Sequence, residues 1–268
     1  MKIAYTINGL VGGLAGKNST ESLRDEQIAI LKYVSNLLQK HITAHNDVDF
    51  FIFSWHTDFE NEFETFIKPK KMKLIPQVDF EIPEHLQGAN INRVIAHYSR
   101  WYGFKEVMKL MSEYESQNDF EYDLVVSARF DICWNKPYYF KNLNNNQFHI
   151  PIHPDASSYG WPDQGPEILD HIFASNTVWM KQYSNMFDYL DEYTSPGQCP
   201  QWKTISNHFL MVWHLQKLNL LSDDIVKKSF TNWSDNNPKI IGGSKDDDID
   251  YDIFRYRKLN MEDLLNHE

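Results

Sequence analysis

The stretch Tyr122-Asp123-Leu124-Val125-Val126-Ser127-Ala128-Arg129-Phe130-Asp131-Ile132-Cys133-Trp134 constrains this chain more than any other. An apolar run with so few breaks reads as a strand buried on both faces, as found in the middle of a mostly parallel sheet. Such a strand ends in Arg-x-Asp only where its carboxyl end opens onto solvent or a ligand. In open α/β sheets that end is where ligands bind. Arg129 and Asp131 are two apart, so on an extended chain they share a face and can address one object. A diphosphate, with or without a metal ion, suits a guanidinium beside a carboxylate.

The rest of the pattern alternates between strands and helices. Lys2 to Ile7 reads as a first strand, followed by a glycine-rich loop from Asn8 to Lys17. A helix starts near Ser19 or Ser22 and carries the apolar stripe Ile30, Leu31, Val34, Leu37 and Leu38. Asp49 to Trp55 is a second buried-type strand, and Met72 to Ile75 a short one. A helical pattern from Asn92 to Glu115 leads into the central strand. Phe148 to Ile152 and Ile168 to Ser175 read as further strands, with helices near Thr177 to Glu192 and Trp202 to Leu218. This alternation predicts an α/β fold: one Rossmann-like domain with a mostly parallel central sheet flanked by helices. That domain spans residues 1–221. The polar residues 222–268, with an acidic run at Asp246 to Asp252 and a short strand at Ile253 to Tyr256, read as an extension packed on it.

Composition narrows the function. At 42% hydrophobic residues the chain can bury a core, which excludes global disorder. A formal charge of −11 argues against nucleic acid as a partner, which needs a basic footprint. Local arginines or a metal ion can still reverse the field at one site. Cys133 and Cys199 offer no disulfide framework, so a reducing compartment is expected. No apolar segment approaches the ~20 residues of a membrane span, and Asn8 and the glycines interrupt the N-terminal strand too early for a signal peptide. The pairs His41/His45 and His149/His153 lack a third ligand at a zinc-like spacing.

The central strand and four further segments resemble a GT-A-type glycosyltransferase, of the bacterial and viral group whose central strand reads roughly YD-L-V-x-x-R-x-D-L. Lys2-Ile3-Ala4 opens the first strand before a glycine-bearing loop. Asp49 to Trp55 is similar to the family's D-V-F-I-H-x-W segment. The helix with Tyr98, Lys105 and Tyr114 resembles the one before the central strand. Asp170-His171-Ile172-Phe173-Ala174-Ser175 resembles a D-Q-F-x-x-G/S element after it. The likeness spans roughly residues 1–220.

The resemblance implies a nucleotide-diphosphate-sugar donor, a glycan or glycolipid acceptor, and a cytoplasmic enzyme (in the host's cytoplasm if the source is viral). It implies a Mn²⁺ or Mg²⁺ ion on the donor phosphates. Asp131 matches the second aspartate of the family's Asp-x-Asp, while Arg129 stands where the first would be. A single carboxylate makes a poorer oxygen cage, although Arg129 can itself clamp phosphate. The loop residues Asn8, Gly9, Gly12 and Gly13 would face the nucleotide through backbone contacts. Arg100 and Lys105, on the preceding helix, would reach the phosphates. Asp170 would face the acceptor as a general base, with Asp163 the rival for that role.

Other classes remain. The loop ending Gly16-Lys17 nearly matches a phosphate-cradling P-loop, but Val11 replaces its first glycine and Asn18 its hydroxyl. A phosphotransferase or sulfotransferase would place Lys17 on a phosphate. A non-catalytic carbohydrate-binding protein would also explain the aromatic residues.

Overall fold

A computed structural model of the chain describes residues 1–12, 24–151, 168–198, 206–230, 250–253 and 260–265. Period-two burial explains how the first strands sit in the sheet. In β1 (Lys2–Gly9) the side chains of Ile3, Tyr5 and Ile7 pack on one face against Ile30, Leu31 and Val34 of α1 (Arg24–Leu38), while Ala4 faces the other side. In β2 (Asp47–Ser54) Phe50 and Ile52 join the α1 side, and Phe51 and Phe53 the opposite one. Both faces of each strand are therefore covered, as a parallel sheet requires.

After α2 (Glu60–Phe66) and β3 (Lys71–Leu74) the chain crosses the sheet through α3 (Ile91–Asn118), and returns as β4 (Leu124–Ala128) on the far side of β1. Asn90 caps α3 by accepting a hydrogen bond from the Arg93 N–H, and Asp119, with φ 54°, ends it in the left-handed conformation. Trp101, Phe104, Val107 and Met111 bury the helix against Phe51, Val125 and Phe173. Its last turns are tied down by Glu115, which is buried. One oxygen of Glu115 accepts from the Tyr122 N–H at 2.8 Å and the Thr177 hydroxyl at 3.0 Å, and the other faces Lys181 at 2.7 Å. At Gly103 the helix presses on the sheet. A Cβ there would meet Asn8 Nδ2 at 3.0 Å and Phe53 Cδ1 at 3.1 Å.

With β6 (Phe148–Pro151), β7 (Ile172–Ser175) and β8 (Val226–Phe230), the main sheet runs β3-β2-β1-β4-β7-β6-β8. β1 is parallel to β2 and β4, β2 to β3 and β6 to β8; only β7 runs against its neighbours. This is the mostly parallel Rossmann-like sheet predicted from the sequence. α1 and α2 cover one face, and α3, α4 (Thr177–Tyr183), α5 (Leu190–Thr194) and α6 (Asn207–Lys217) the other. No helix among the described residues is long and apolar enough to cross a membrane.

Several expectations change. The central run is not one strand: β4 stops at Ala128, the backbone turns at Phe130 and Asp131, and Ile132–Trp134 forms β5 in a separate two-stranded sheet with β9 (Tyr251–Ile253). At the break the Phe130 ring buries against Phe63 of α2, at 5.3 Å between centroids. The strand expected from Ile168 begins only at Ile172, leaving Asp170 in the bend before it. The residues set apart as a C-terminal extension supply β8 to the main sheet and β9 to the small one. The predicted helix start at Ser19 or Ser22 lies outside the described residues, as do Gly13, Lys17, Asp163 and the acidic run up to Ile249.

The α3 side of the core holds a buried imidazole. His214 of α6 faces the Tyr193 hydroxyl through Nδ1 at 2.7 Å, and burial pushes its pKa down to about 4. Neutral in the fold, it protonates in the unfolded chain below its ordinary value near 6.5, so the unfolded state binds more protons and stability falls with acidification. Urea unfolding should show a loss on the order of 3 kcal/mol between pH 6.5 and 4 from this residue alone. His214→Phe should flatten that part of the profile; an unchanged slope would remove His214 as its cause.

Candidate functional site

The strand order places the switch point between β1 and β4, where the chain's outward progression reverses, and the carboxyl ends of both strands open there into a crevice. A cavity of about 760 Å³ occupies this position, lined by Asn8, Gly9, Gly12, Arg100, Arg129, Asp131 and Asp170 among others. β7 brings Asp170 to it. Because β7 runs antiparallel to β4, with Ala128 opposite Ile172, the residues before β7 lie beside the carboxyl end of β4. The Arg129 N–H extends this ladder by donating to the His171 carbonyl at 3.3 Å.

From β1, Asn8 turns its buried side chain onto α3. Its Nδ2 donates to the Arg100 carbonyl at 3.0 Å, and its Oδ1 accepts from Arg100 Nη1. Gly9 follows with φ 118°, a conformation that side chains disfavour, so the loop leaves the strand sharply. The Ser54 hydroxyl donates to the Gly9 carbonyl at 2.9 Å, and the His56 ring meets the Val11 carbonyl at 3.2 Å. These contacts fix the first residues of the loop against β2.

At the end of β4, Arg129 and Asp131 pair with each other. Arg129 Nε donates to Asp131 Oδ1 at 2.8 Å and Nη2 to Oδ2, while Nη1 reaches Asp170 Oδ1 at 3.4 Å. Arg100 grips the same aspartate: Nη2 donates to the Asp170 carbonyl at 3.1 Å and Nε stands 3.8 Å from Oδ2. Asn207 completes the ring, donating from Nδ2 to Asp170 Oδ2 at 2.9 Å while its Oδ1 faces His97 Nδ1 at 2.6 Å and Trp101 Nε1 at 3.0 Å. His208 Nε2 approaches Asp170 Oδ1 at 3.6 Å.

Electrostatics follow from this packing. Burial disfavours the charge of Asp170, but His208 and the guanidiniums of Arg129 and Arg100 overcome it and hold the carboxyl well below its usual range. Burial lowers Arg100 to about 10, against the pull of Asp170, so it stays cationic at neutral pH. Burial works against Arg129 too, yet Asp131 and Asp170 raise its pKa on balance. Burial and the Arg129 charge push His171 well below its ordinary value, which leaves it neutral.

Of the residues expected from the sequence, Asn8, Gly9, Gly12, Arg100, Arg129, Asp131 and Asp170 come together on this cavity. Lys105 does not. Five residues after Arg100, it points away from the cavity, pairs with Asp188 and stands 5.9 Å from the Phe187 ring centroid. Asp163 and Gly13 lie outside the described residues. Asp170 is present but poorly suited to act as a base, since guanidiniums that lower its pKa also weaken its pull on a proton. His97, Asn207 and His208 were not anticipated. A signal for His97 exists: Arg93, His97 and Arg100 fall at i, i+4 and i+7 and share one face of the helix.

For a divalent cation, Asp131 is, among the described residues, the one carboxylate on the cavity besides Asp170, and both its oxygens face Arg129. Among the described residues no three His, Cys, Asp or Glu side chains gather to enclose a metal ion. The chain matches no protein-family model, and no curated protein matches it in sequence.

Removing Arg129 would leave two carboxylates without their main counter-charge. Arg129→Ala should lower the unfolding free energy by about 3–5 kcal/mol in urea titration. Arg129→Lys should restore only part of it, because an ammonium cannot form the same fork. Equal stability of the alanine variant and the native protein would show that these charges are not coupled as described.

Proposed function

We propose that the protein transfers a sugar from a nucleotide-diphosphate donor to a hydroxyl of a glycan or glycolipid acceptor. The observation that carries this reading is the arginine–aspartate cluster on the wall of a cavity at the β1/β4 switch point, where open α/β sheets bind nucleotides. The resemblance of the central segments to GT-A-type glycosyltransferases supports it.

In the transfer, the acceptor oxygen bonds to the anomeric carbon while the bond from that carbon to the diphosphate oxygen breaks. The diphosphate leaves with the electron pair, and the hydroxyl proton is lost to water. Charge develops on the leaving phosphate, so fixed positive groups are what the reaction needs. A guanidinium has five N–H donors. Arg129 commits three of these to Asp131 and Asp170. Arg100 hydrogen-bonds through Nη1 and Nη2, each of which carries a second N–H. Both arginines therefore keep donors for phosphate oxygens. Within the proposal Asp170 holds these two guanidiniums in place instead of removing a proton.

Asp131 would hold the cation, with the donor phosphates supplying the remaining oxygens. When bound, the ion adds positive charge to the leaving diphosphate. A cytoplasmic setting belongs to the same proposal. The phosphotransferase reading depends on Lys17, outside the described residues, and gains nothing from this geometry.

Because Asp131 alone is no cage, Mn²⁺ by itself should leave the melting temperature unchanged. UDP should raise it, and UDP with Mn²⁺ should raise it further; a ligand at 100 times its Kd stabilises by about 2.7 kcal/mol. A panel of nucleoside diphosphates giving no shift with or without Mn²⁺ would sink the donor reading. Asp131→Asn, which leaves Arg129 its contact with Asp170, should lower the melting temperature yet still fold, and should lower kcat/KM for donor hydrolysis by ~10²–10³. Full activity in that variant would remove Asp131 from the chemistry.

A further inference from the structure

Among the described residues, three arginines and two aspartates line the cavity, a local excess of one positive charge within a chain of formal charge −11. Arg100 and Arg129 are engaged with Asp170 and Asp131. Arg93 is exposed and makes no ion pair among the described residues. It stands seven residues before Arg100, two turns along the same face of α3, which separates the two positions by about 10 Å along the axis.

The surroundings of Arg93 differ in kind from those of Arg100. Amides line this end: Asn90, Asn92 and Gln77, with the small Ala96 between the two arginines. Asn90 spends its Oδ1 on the helix cap, and its Nδ2 has no partner among the described residues. The Asn92 side chain also has none. Gln77 donates to the Ser99 hydroxyl at 2.9 Å and the Val78 carbonyl at 3.2 Å, leaving its Oε1 open. Neutral donors and acceptors around one guanidinium match a ligand with several hydroxyls and one carboxylate, since a guanidinium pairs with a carboxylate through two parallel hydrogen bonds.

We propose that this end of the cavity binds a sugar acid, its carboxylate on Arg93 and its hydroxyls on the amides of Asn90 and Asn92. Its role as the acceptor unit rests on the transferase reading above; its binding does not. The acceptor glycan then presents a uronic or ulosonic acid residue beside the donor's anomeric carbon.

The test titrates the full chain with D-glucuronate, N-acetylneuraminate and D-glucose by ligand-observed NMR, and with UDP in separate samples. The acids should bind at least tenfold more tightly than glucose, and Arg93→Gln should erase that preference while leaving UDP affinity and the melting temperature unchanged. Glucose binding as well as the acids, or an undiminished preference in the variant, overturns the proposal. Loss of UDP affinity in Arg93→Gln overturns it too, by assigning Arg93 to the donor phosphates. If UDP fails to bind the native protein while the acid preference stands and depends on Arg93, the transferase reading fails and the sugar-acid site survives.

Discussion

Two aspartates and two arginines share one cluster at the carboxyl edge of the sheet, Asp170 and Arg100 buried and Arg129 and Asp131 partly so, and each offsets the charge of the others. An ion moved from water into a protein interior costs several kcal/mol even after relaxation. Asp170, itself buried, meets both guanidiniums, and Arg129 divides its donors between two carboxylates. The cluster also joins separate parts of the chain: the end of β1 through Asn8, α3 through Arg100, the turn after β4, the bend before β7, and α6 through Asn207. Local stability and the shape of the cavity wall are thus set by the same contacts.

Much of the architecture was legible because buried parallel strands advertise themselves. Runs such as Phe50 to Phe53 and Leu124 to Val126 have few other uses, and the apolar stripe of α3 has the helical period. The break at Phe130 was not legible. An aromatic residue between two charges fits an alternating strand, and its burial against Phe63, at the turned backbone, is a long-range contact that spacing does not reveal. The direction of β7 was hidden as well, since four apolar residues read the same either way.

For the site, Arg129 and Asp131 were visible as charges at a strand end, but their partners were not. Sequence spacing suggested that both would point at a ligand; in the fold they bind each other first. Asn207 and His208 are more than seventy residues from Arg129, and polar residues at a helix start look like any other cap. Lys105 shows the converse error. A cation on the right helix is not on the right face, and five residues from Arg100 amount to 500° of rotation, well off its line.

The close approach of α3 to the sheet at Gly103 has a further meaning. The atom nearest to a hypothetical Cβ there is the amide nitrogen of Asn8, whose other end receives Arg100. A methyl group added on the helix would press first on the residue that aligns a guanidinium. The absence of a side chain at this position thus acts as a spacer, setting how far the helix-borne charge stands from the strand end, and a substitution outside the cavity lining would be felt inside it.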